Sequence, residues 1–442
     1  MRPEALPPES PEGAKSAVGF GEALRFWVKL GFINFGGPAG QISIMHRELV
    51  EEKRWVSEGQ FLRALNFCML LPGPEAQQLA TYVGWRLHGT LGGLVAGAFF
   101  VIPSIFVLLL LSYVSVVYSN VPAVTGLLYG VQPVVIAIVI EAVVRIGKRT
   151  LHHGVLVAFA VASFVAIYFL SVPFPIVVAA AALGGLLLRT RIPQAFHARG
   201  HGDTPEEDVA PQRGTGERPS LLRNLGMVGV FVSLWMLPVG ALWLWRGGED
   251  VLVQQALFFT GAAFVTFGGA YSVLSYVADV AVEQYGWLTA DQMVQGLALA
   301  ESTPGPLIMV TQYVGFLGAW KFSGPFDPLL YGTLGALTTT YVTFLPCFLF
   351  VFLLAPYIEL LARERRLQAA LVGVTAAVVG VIANLAVFFG VRVLFPDGFT
   401  AAPDFFAAAL AAASFAVLRM SKVPIYAAVL AGALAGMLWT LW

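Results

Sequence analysis

The amino-acid sequence predicts an all-α polytopic membrane protein, built from two copies of one unit that lie in opposite orientations across the bilayer. Of the 442 residues, 58% are hydrophobic and only 12% are charged, whereas soluble domains contain about 25% charged residues. Motifs of the first half recur in the second half. Lys and Arg fall on opposite flanks of the two copies, which indicates that the copies are inverted.

The composition also excludes several classes of protein. The formal net charge of zero lacks the basic surface that nucleic-acid binding requires. Cys68 and Cys347 both lie in apolar segments, so neither a disulfide framework nor a cysteine metal site is expected. No nucleophile beside a base, metal-ligand cluster or cofactor-binding loop is recognisable. We therefore expect no enzyme activity, no cofactor, no bound metal and no nucleic-acid partner.

Composition divides the chain into five parts. Residues 1–19 are rich in Pro and Glu and are expected to form a disordered cytoplasmic tail. Residues 20–189 form the first transporter repeat, and residues 190–223 a polar cytoplasmic linker. Residues 224–250 form a connecting transmembrane helix, which lets the second, inverted repeat at 251–442 start from the opposite face.

Two glycine motifs define the repeat. Phe-Gly-Gly at 35–37 recurs at 267–269, and Pro-Gly-Pro at 72–74 recurs with the same displacement at 304–306. Further matches follow in the same order, at a slightly larger but constant offset: His88 with Tyr331, Pro103 with Pro346 and Arg149 with Arg392. So many ordered matches indicate an internal duplication.

The positions of Lys and Arg predict the orientation. Arg47, Lys53 and Arg54 follow the first Phe-Gly-Gly motif, whereas the equivalent stretch at 278–287 has no Lys or Arg. The next loop, at 112–130, lacks them, and its counterpart carries Arg363, Arg365 and Arg366. We therefore expect a multi-pass protein of the inner membrane, with a cytoplasmic N-terminus and a periplasmic C-terminus. Such inverted pairs are typical of secondary transporters, whose substrate lies near the midplane.

Segment lengths indicate helices that do not cross the bilayer. The runs at 60–71 and 75–86 would each be about 18 Å long as helices, against a hydrocarbon core of about 30 Å. The Pro-Gly-Pro and Phe-Gly-Gly segments are thus expected to form re-entrant or broken helical hairpins, paired near the midplane. Full crossings are predicted at 90–111, 128–147, 154–170, 174–189, 224–245, 330–354, 368–392, 403–418 and 424–442.

Glycine and proline at these hairpin tips predict that the tips bind an anion. Gly36 can adopt the left-handed conformation that ends a half-helix, and Pro38 suits the first position of the next; Gly73 with Pro74 and Gly305 with Pro306 repeat the arrangement. Each restarted half-helix directs free N–H groups and about half a positive charge at the tip, where an anion can bind. The alternative interpretation of the glycines is close helix packing. The predicted substrate-binding residues are Asn34, Gly36, Gly37, Pro38, Gln41, Pro72, Gly73, Pro74, Gln77, Gln78, Thr266, Gly268, Gly269, Ser272, Thr303, Pro304, Gly305 and Pro306.

Four ionisable residues are candidates for coupling or gating: Glu75, Arg86, Glu301 and His46. Ionisable side chains within membrane segments are costly and usually functional. Desolvation and a neighbouring anion both favour the protonated carboxyl, so Glu75 and Glu301 offer a route for proton coupling. The alternatives are a solvated gate residue or an ion pair between Glu75 and Arg86, an interfacial anchor at Arg86, and a positive loop or entry vestibule at His46.

The motifs resemble those of the chromate ion transporter family in its long, two-domain form. The resemblance rests on residues 35–38, 71–74 and 82–84, with His46 nearby and the second-half motifs at 267–269 and 303–306. It implies an inner-membrane protein that exports chromate from the cytoplasm by secondary active transport and so confers chromate resistance. The second copy departs from the first, with Ala270 for Pro38, Ala278 for His46 and Leu307 for Glu75.

Other functions stay open on the same scaffold. Chromate and sulfate are tetrahedral dianions of similar size, so a carrier of sulfate or another oxyanion is the nearest alternative. An anion channel could use the same hairpins. The sequence leaves both the driving ion and the oligomeric state open, with protons and a homodimer as the candidates.

Overall fold

The structure is a computed structural model that describes residues 18–196, 220–358, 361, 364–421 and 423–442. The predicted tail and most of the predicted linker lie outside these residues. The described residues form helices and no strand. In chain order the helices are α1 (Phe20–Ile33), α2 (Gly37–His46), α3 (Glu58–Cys68), α4 (Glu75–Phe99), α5 (Ile102–Val117), α6 (Pro122–Thr150), α7 (Gly154–Tyr168), α8 (Phe174–Leu188), α9 (Pro193–Phe196), α10 (Leu221–Arg246), α11 (Val251–Val265), α12 (Ala270–Ala278), α13 (Ala290–Ser302), α14 (Val310–Lys321), α15 (Pro328–Leu354), α16 (Arg365–Leu394), α17 (Phe405–Met420) and α18 (Ile425–Leu441).

The helices confirm an all-α polytopic membrane protein. Among the described residues, five spans are long and apolar enough to cross a bilayer: Glu75–Val117, Pro122–Thr150, Leu221–Arg246, Pro328–Tyr357 and Arg365–Leu394. Five shorter apolar helices accompany them. Each predicted crossing falls on helical segments.

The first predicted crossing differs most from the structure. A continuous helix was expected over residues 90–111, but α4 begins far earlier, at Glu75, and the helix is interrupted between Phe99 and Ile102. Inside α4 the backbone leaves helical geometry at His88 and Gly89, where Gly89 has φ +63°. The restarted half-helix and the crossing are therefore joined at a glycine kink rather than by a loop.

Two local backbone features of the first half recur at the equivalent positions of the second half. A π-helical turn at Arg47–Glu52 corresponds to another at Asp279–Gln284, at the equivalent position of the second copy. The next helices, α3 and α13, both start with a capping box, made by Ser57 with Gln60 and by Thr289 with Gln292. The duplication seen in the sequence is therefore also a duplication of backbone conformation.

The two halves interlock through their long helices. Helix α6 packs against α17 and α18, and its counterpart α16 packs against α7 and α8. Glycine allows these close approaches: a Cβ added to Gly130 would lie 2.7 Å from the Cα of Gly436, and one added to Gly373 would lie 3.3 Å from the Cα of Gly185. Each half thus completes its packing with helices of the other.

Candidate functional site

Four helix breaks occur at the duplicated glycine motifs. Gly36 has φ +91° and Gly268 φ +78°, while Gly73 has φ +120° and Gly305 φ +114°. Only glycine adopts such angles readily, so the glycines define where the helices stop. The predicted left-handed conformation of Gly36 is confirmed.

The prolines of the Pro-Gly-Pro motifs differ slightly from expectation. Pro74 was expected at the first helical position, but it is the N-cap of α4 in extended conformation, and Pro306 is likewise the N-cap of a short 3₁₀ turn at Leu307–Met309. Pro38 is the second residue of α2, which begins at Gly37, and not the first as expected. The N-cap position follows from the glycine before each proline, whose positive φ of +120° or +114° delays the start of the helix by one residue.

The breaks of the two halves are hydrogen-bonded to each other. The N–H of Gly73 donates to the carbonyl of Thr266 at 2.8 Å, and the N–H of Gly305 donates to the carbonyl of Asn34 at 3.3 Å. Gly305 is the counterpart of Gly73, and Thr266 is the counterpart of Asn34, so the two bonds are equivalent under the repeat. The Pro-Gly-Pro break of each half therefore meets the Phe-Gly-Gly break of the other.

A second equivalent pair of contacts encloses the Pro-Gly-Pro breaks. The Sγ of Cys347 on α15 lies 2.8 Å from the position that a Cβ on Gly73 would occupy. Ser104 on α5, the counterpart of Cys347 in the first copy, faces Gly305 and donates to the carbonyl of Pro304. Each tip is thus covered by a membrane helix of the opposite half, where a side chain on the glycine would collide.

The polar side chains around the breaks donate to protein acceptors in this structure. Asn34 Nδ2 donates to Phe100 O at 3.2 Å, and Gln41 Nε2 donates to both Asn34 O at 3.0 Å and Gly305 O at 2.6 Å. The remaining amides and hydroxyls behave in the same way: Gln77 to Thr81 Oγ1, Gln78 to Pro72 O, Thr266 to Ala262 O, Ser272 to Phe267 O and Thr303 to Ala300 O. The residues predicted to donate to an oxyanion thus already have protein acceptors, and Gln41 links the breaks of the two halves. Backbone N–H groups in the first turns of the restarted helices are the donors suited to an anion.

Acceptor oxygens, by contrast, are left without partners at the breaks. Within the described part of the chain, five buried side-chain oxygens there have no hydrogen-bond partner: Asn34 Oδ1, Gln41 Oε1, Gln77 Oε1, Gln78 Oε1 and Glu301 Oε2. Buried polar atoms are normally satisfied. Three of the five oxygens, on Asn34, Gln41 and Glu301, lie at the first Phe-Gly-Gly break, and the other two lie on α4 after the first Pro-Gly-Pro break.

Glu301 is the buried carboxylate of the site. It is 2% exposed, its Oε1 accepts a hydrogen bond from the hydroxyl of Tyr271, and its Oε2 lies 3.9 Å from the position of a Cβ on Gly37. Glu141 and Arg145 on α6, which pair at 3.6 Å, are further charged groups that act on it. The sequence did not single out Tyr271, because nothing in its spacing from residue 301 indicates a contact.

The other coupling candidates lie elsewhere. Glu75 starts α4 and is half-buried; Arg86 lies about 16 Å further along the same helix. The alternative of an ion pair between them is therefore wrong, and none is found in the described chain. His46 lies between Glu51 at 3.1 Å and Glu58 at 2.6 Å, at the end of α2 away from the break.

The helices that follow the two Phe-Gly-Gly breaks differ in burial. Residues 35–37 and 267–269 are half-buried in both halves, but residues 270–275 at the start of α12 are all buried, whereas the equivalent residues 38–43 are half-buried or exposed except for Gln41. Two apolar grooves, one beside α7 and α8 and one beside α10, lie on other faces. The start of α2 is therefore more exposed than the start of α12.

Duplicated broken helices that meet in the interior of an apolar helical protein define a multi-pass membrane transporter. The chain belongs to the chromate transporter family, whose model matches residues 21–186 and again residues 253–437. It is 32% identical over 450 residues to a protein of Pseudomonas aeruginosa called chromate transport protein, covering 99% of this chain and 96% of that relative.

Two further relatives carry similar names. A chromate transport protein of Cupriavidus metallidurans is 28% identical over 84% of this chain and 82% of its own length. A probable chromate transport protein of Synechococcus elongatus is 28% identical over 84% of both chains. No solved structure gives a significant match.

Proposed function

We propose that this protein exports chromate from the cytoplasm across the inner membrane by secondary active transport, and thereby confers chromate resistance. The family and the names of its relatives support chromate as the substrate. The observation that carries the mechanism is the pair of equivalent hydrogen bonds from Gly73 to Thr266 and from Gly305 to Asn34. These bonds join each Pro-Gly-Pro break to the Phe-Gly-Gly break of the other half, which supports a carrier whose site lies where the two repeats meet.

The anion would bind at the ends of the restarted helices. The first-turn N–H groups of α2 and α4 have no acceptor within their own helices, and each helix start carries about half a positive charge. An unaccompanied dianion would be very costly to bury, so several such ends are needed to replace its water. Gly37, whose Cβ position has only one atom within 4 Å, lets the backbone approach the anion without a side chain in between.

Alternating access follows from the duplication. We propose that the two repeats are inverted, with the N-terminus cytoplasmic and the C-terminus periplasmic, and that they rock about the site. The more exposed start of α2 and the buried start of α12 fit one end state of that cycle, open on the face of α2.

The energy would come from the gradient of another ion. Glu75 adjoins the first Pro-Gly-Pro break, and within the described chain it has no ion-pair partner. Departure of the anion and hydration would favour its ionised form, whereas a bound anion favours the protonated form. Glu75 is therefore the group through which we expect protons to be coupled to export.

The decisive experiment is uptake of radiolabelled chromate into inverted membrane vesicles. Gly73→Val places a β-branched side chain at φ +120°, against Cys347 and Gln78, and should abolish uptake while the protein remains in the membrane. Gly226→Val is the matched control, because that glycine lies on the exposed face of α10 with nothing within 4 Å. Unchanged uptake by Gly73→Val would exclude the breaks as the binding site.

Competition by unlabelled sulfate in the same vesicles separates the two oxyanions. Equal inhibition by sulfate and by chromate would identify a general carrier of tetrahedral dianions. Large single-channel currents in planar bilayers would instead identify a channel.

A further inference from the structure

Three unpartnered oxygens surround the first-half Phe-Gly-Gly break. They are Asn34 Oδ1, Gln41 Oε1 and Glu301 Oε2, on side chains that are 0%, 1% and 2% exposed. Buried acceptors without donors are destabilising. One electropositive partner shared by the three oxygens would remove this cost.

The hydrogen-bond network fixes the orientation of the two amides. Asn34 Nδ2 donates to the carbonyl of Phe100, and Gln41 Nε2 donates to the carbonyls of Asn34 and Gly305. Carbonyl oxygens only accept, so a flipped amide would set oxygen against oxygen. The amide oxygens, and not the amide nitrogens, are therefore the unpartnered atoms.

The three residues belong to one locality. Gln41 bonds directly to the backbone of Asn34 and of Gly305. Glu301 lies four residues before Gly305, and its Oε2 lies 3.9 Å from the Cβ position on Gly37. Helix α1 ends at Ile33, and the C-terminal end of a helix carries about half a negative charge. The break thus has the negative end of α1 and the carboxylate of Glu301 on one side and the positive start of α2 on the other, with the neutral amide oxygens of Asn34 and Gln41 between them.

We propose that this break binds an alkali-metal cation of the sodium class, held by Asn34 Oδ1, Gln41 Oε1 and Glu301 Oε2. Hard cations prefer carboxylate and carbonyl oxygens, and unwound helices coordinate sodium in this way in other transporters. A single proton on Glu301 would provide a partner for one amide oxygen and leave the other without one. A cation satisfies all three oxygens at once.

The surrounding charges are compatible with a cation. Tyr271 donates to the second carboxylate oxygen of Glu301, which leaves Oε2 free for the ion. Arg145 and Glu141 on α6 pair with each other at 3.6 Å, so their charges largely cancel. Glu301 then supplies the one negative charge that balances a monovalent ion.

The site exists in one half only. The equivalent positions in the other copy hold Thr266 for Asn34, Val273 for Gln41 and Met69 for Glu301. The hydroxyl of Thr266 donates to the carbonyl of Ala262 at 2.6 Å. One cation per chain is therefore expected. This inference rests on the proposed function and deepens it. The cation would be a second coupling ion, in addition to the proton at Glu75, and would bind beside the transported anion.

Binding is tested on the purified full-length chain in detergent, without chromate. Thermal unfolding, followed by tryptophan fluorescence, should shift to higher temperature as sodium chloride replaces choline chloride at constant ionic strength and pH. Glu301→Gln, which keeps the shape of the side chain, and Gln41→Val, which copies the other half, should each lose most of the shift. The control Glu283→Gln changes an exposed carboxylate and should keep it.

Radioactive sodium provides a readout on the unmodified chain, even where a variant does not fold. About one bound ion per chain is expected. No sodium-dependent shift, no bound sodium, or a shift that survives in Glu301→Gln would each overturn the proposal, as would a stability that depends on pH but not on sodium.

The same preparation in liposomes separates the two hypotheses. Sodium binding without any movement of chromate would refute the proposed function and leave the cation site standing. Chromate transport that is indifferent to sodium, by a protein that binds none, would refute only the cation site.

Discussion

The contact between Gly305 and Ser104 predicts a measurable coupling between the two halves. Gly305→Ala places a side chain at φ +114°, which costs about 1–3 kcal/mol of backbone strain. The new Cβ would also lie 2.8 Å from the Cβ of Ser104 and closer still to its hydroxyl, and such overpacking costs about 1–3 kcal/mol. We therefore expect Gly305→Ala to lower the free energy of unfolding by about 2–6 kcal/mol.

Ser104→Gly should relieve the overpacking caused by Gly305→Ala but not its backbone strain. Alone it should lower stability by about 2 kcal/mol, since it removes the hydrogen bond to Pro304 and puts glycine into α5. In the double variant the collision is absent, so its loss of stability should be smaller than the sum of the single losses by about 1–3 kcal/mol.

Denaturant titration of the purified protein in mixed micelles measures this double-mutant cycle. Ser115→Gly is the control, because Ser115 lies on the same helix and its hydroxyl donates to Ser112 O at 2.8 Å. The control should show no coupling with Gly305→Ala. Additivity of Gly305→Ala and Ser104→Gly within about 0.5 kcal/mol would refute the packing of the second Pro-Gly-Pro break against the first half.

Three other predictions concern coupling, topology and the connecting helix. Glu75→Gln should retain chromate exchange but lose its pH dependence in vesicles, and an unaltered pH profile would reject proton coupling there. Cysteines introduced for Lys53 and Glu283, in equivalent loops, should react with impermeant reagents from opposite faces; reaction from one face would refute the inversion. Asp250→Ala removes an ion pair of 2.9 Å to Arg246 and the N-cap of α11, and should lower the free energy of unfolding by about 3 kcal/mol; an unchanged denaturation midpoint would contradict it.

Sequence reasoning located the helix breaks because the chemistry that makes them is local. Gly37 and Gly73, each followed directly by proline, alter the backbone whatever surrounds them. The apolar length of the crossings is equally local, so the helices lie close to their predicted positions. The internal repeat then made the second half predictable from the first.

The chemistry inside the site was less predictable, because it depends on partners far away in the sequence. The pairing of Tyr271 with Glu301, and of Gly305 with Asn34, follows from how the halves pack. An amide such as Gln41 offers both a donor and an acceptor, and the sequence does not reveal which of them the protein uses. The amides expected to donate to an anion, such as that of Gln41, therefore use their N–H groups within the protein and leave their oxygens without a hydrogen-bond partner.

The packing of long helices from one half against helices of the other constrains when the protein can fold during its synthesis. Helices α7 and α8 pack mainly against α16, and α6 packs against α16, α17 and α18. The ribosome must therefore deliver almost the entire polypeptide before the first half can complete its interior. A nascent chain arrested near residue 250 would carry glycine faces such as that of Gly130 with no partner, whereas the missing half supplied as a separate polypeptide should complete them.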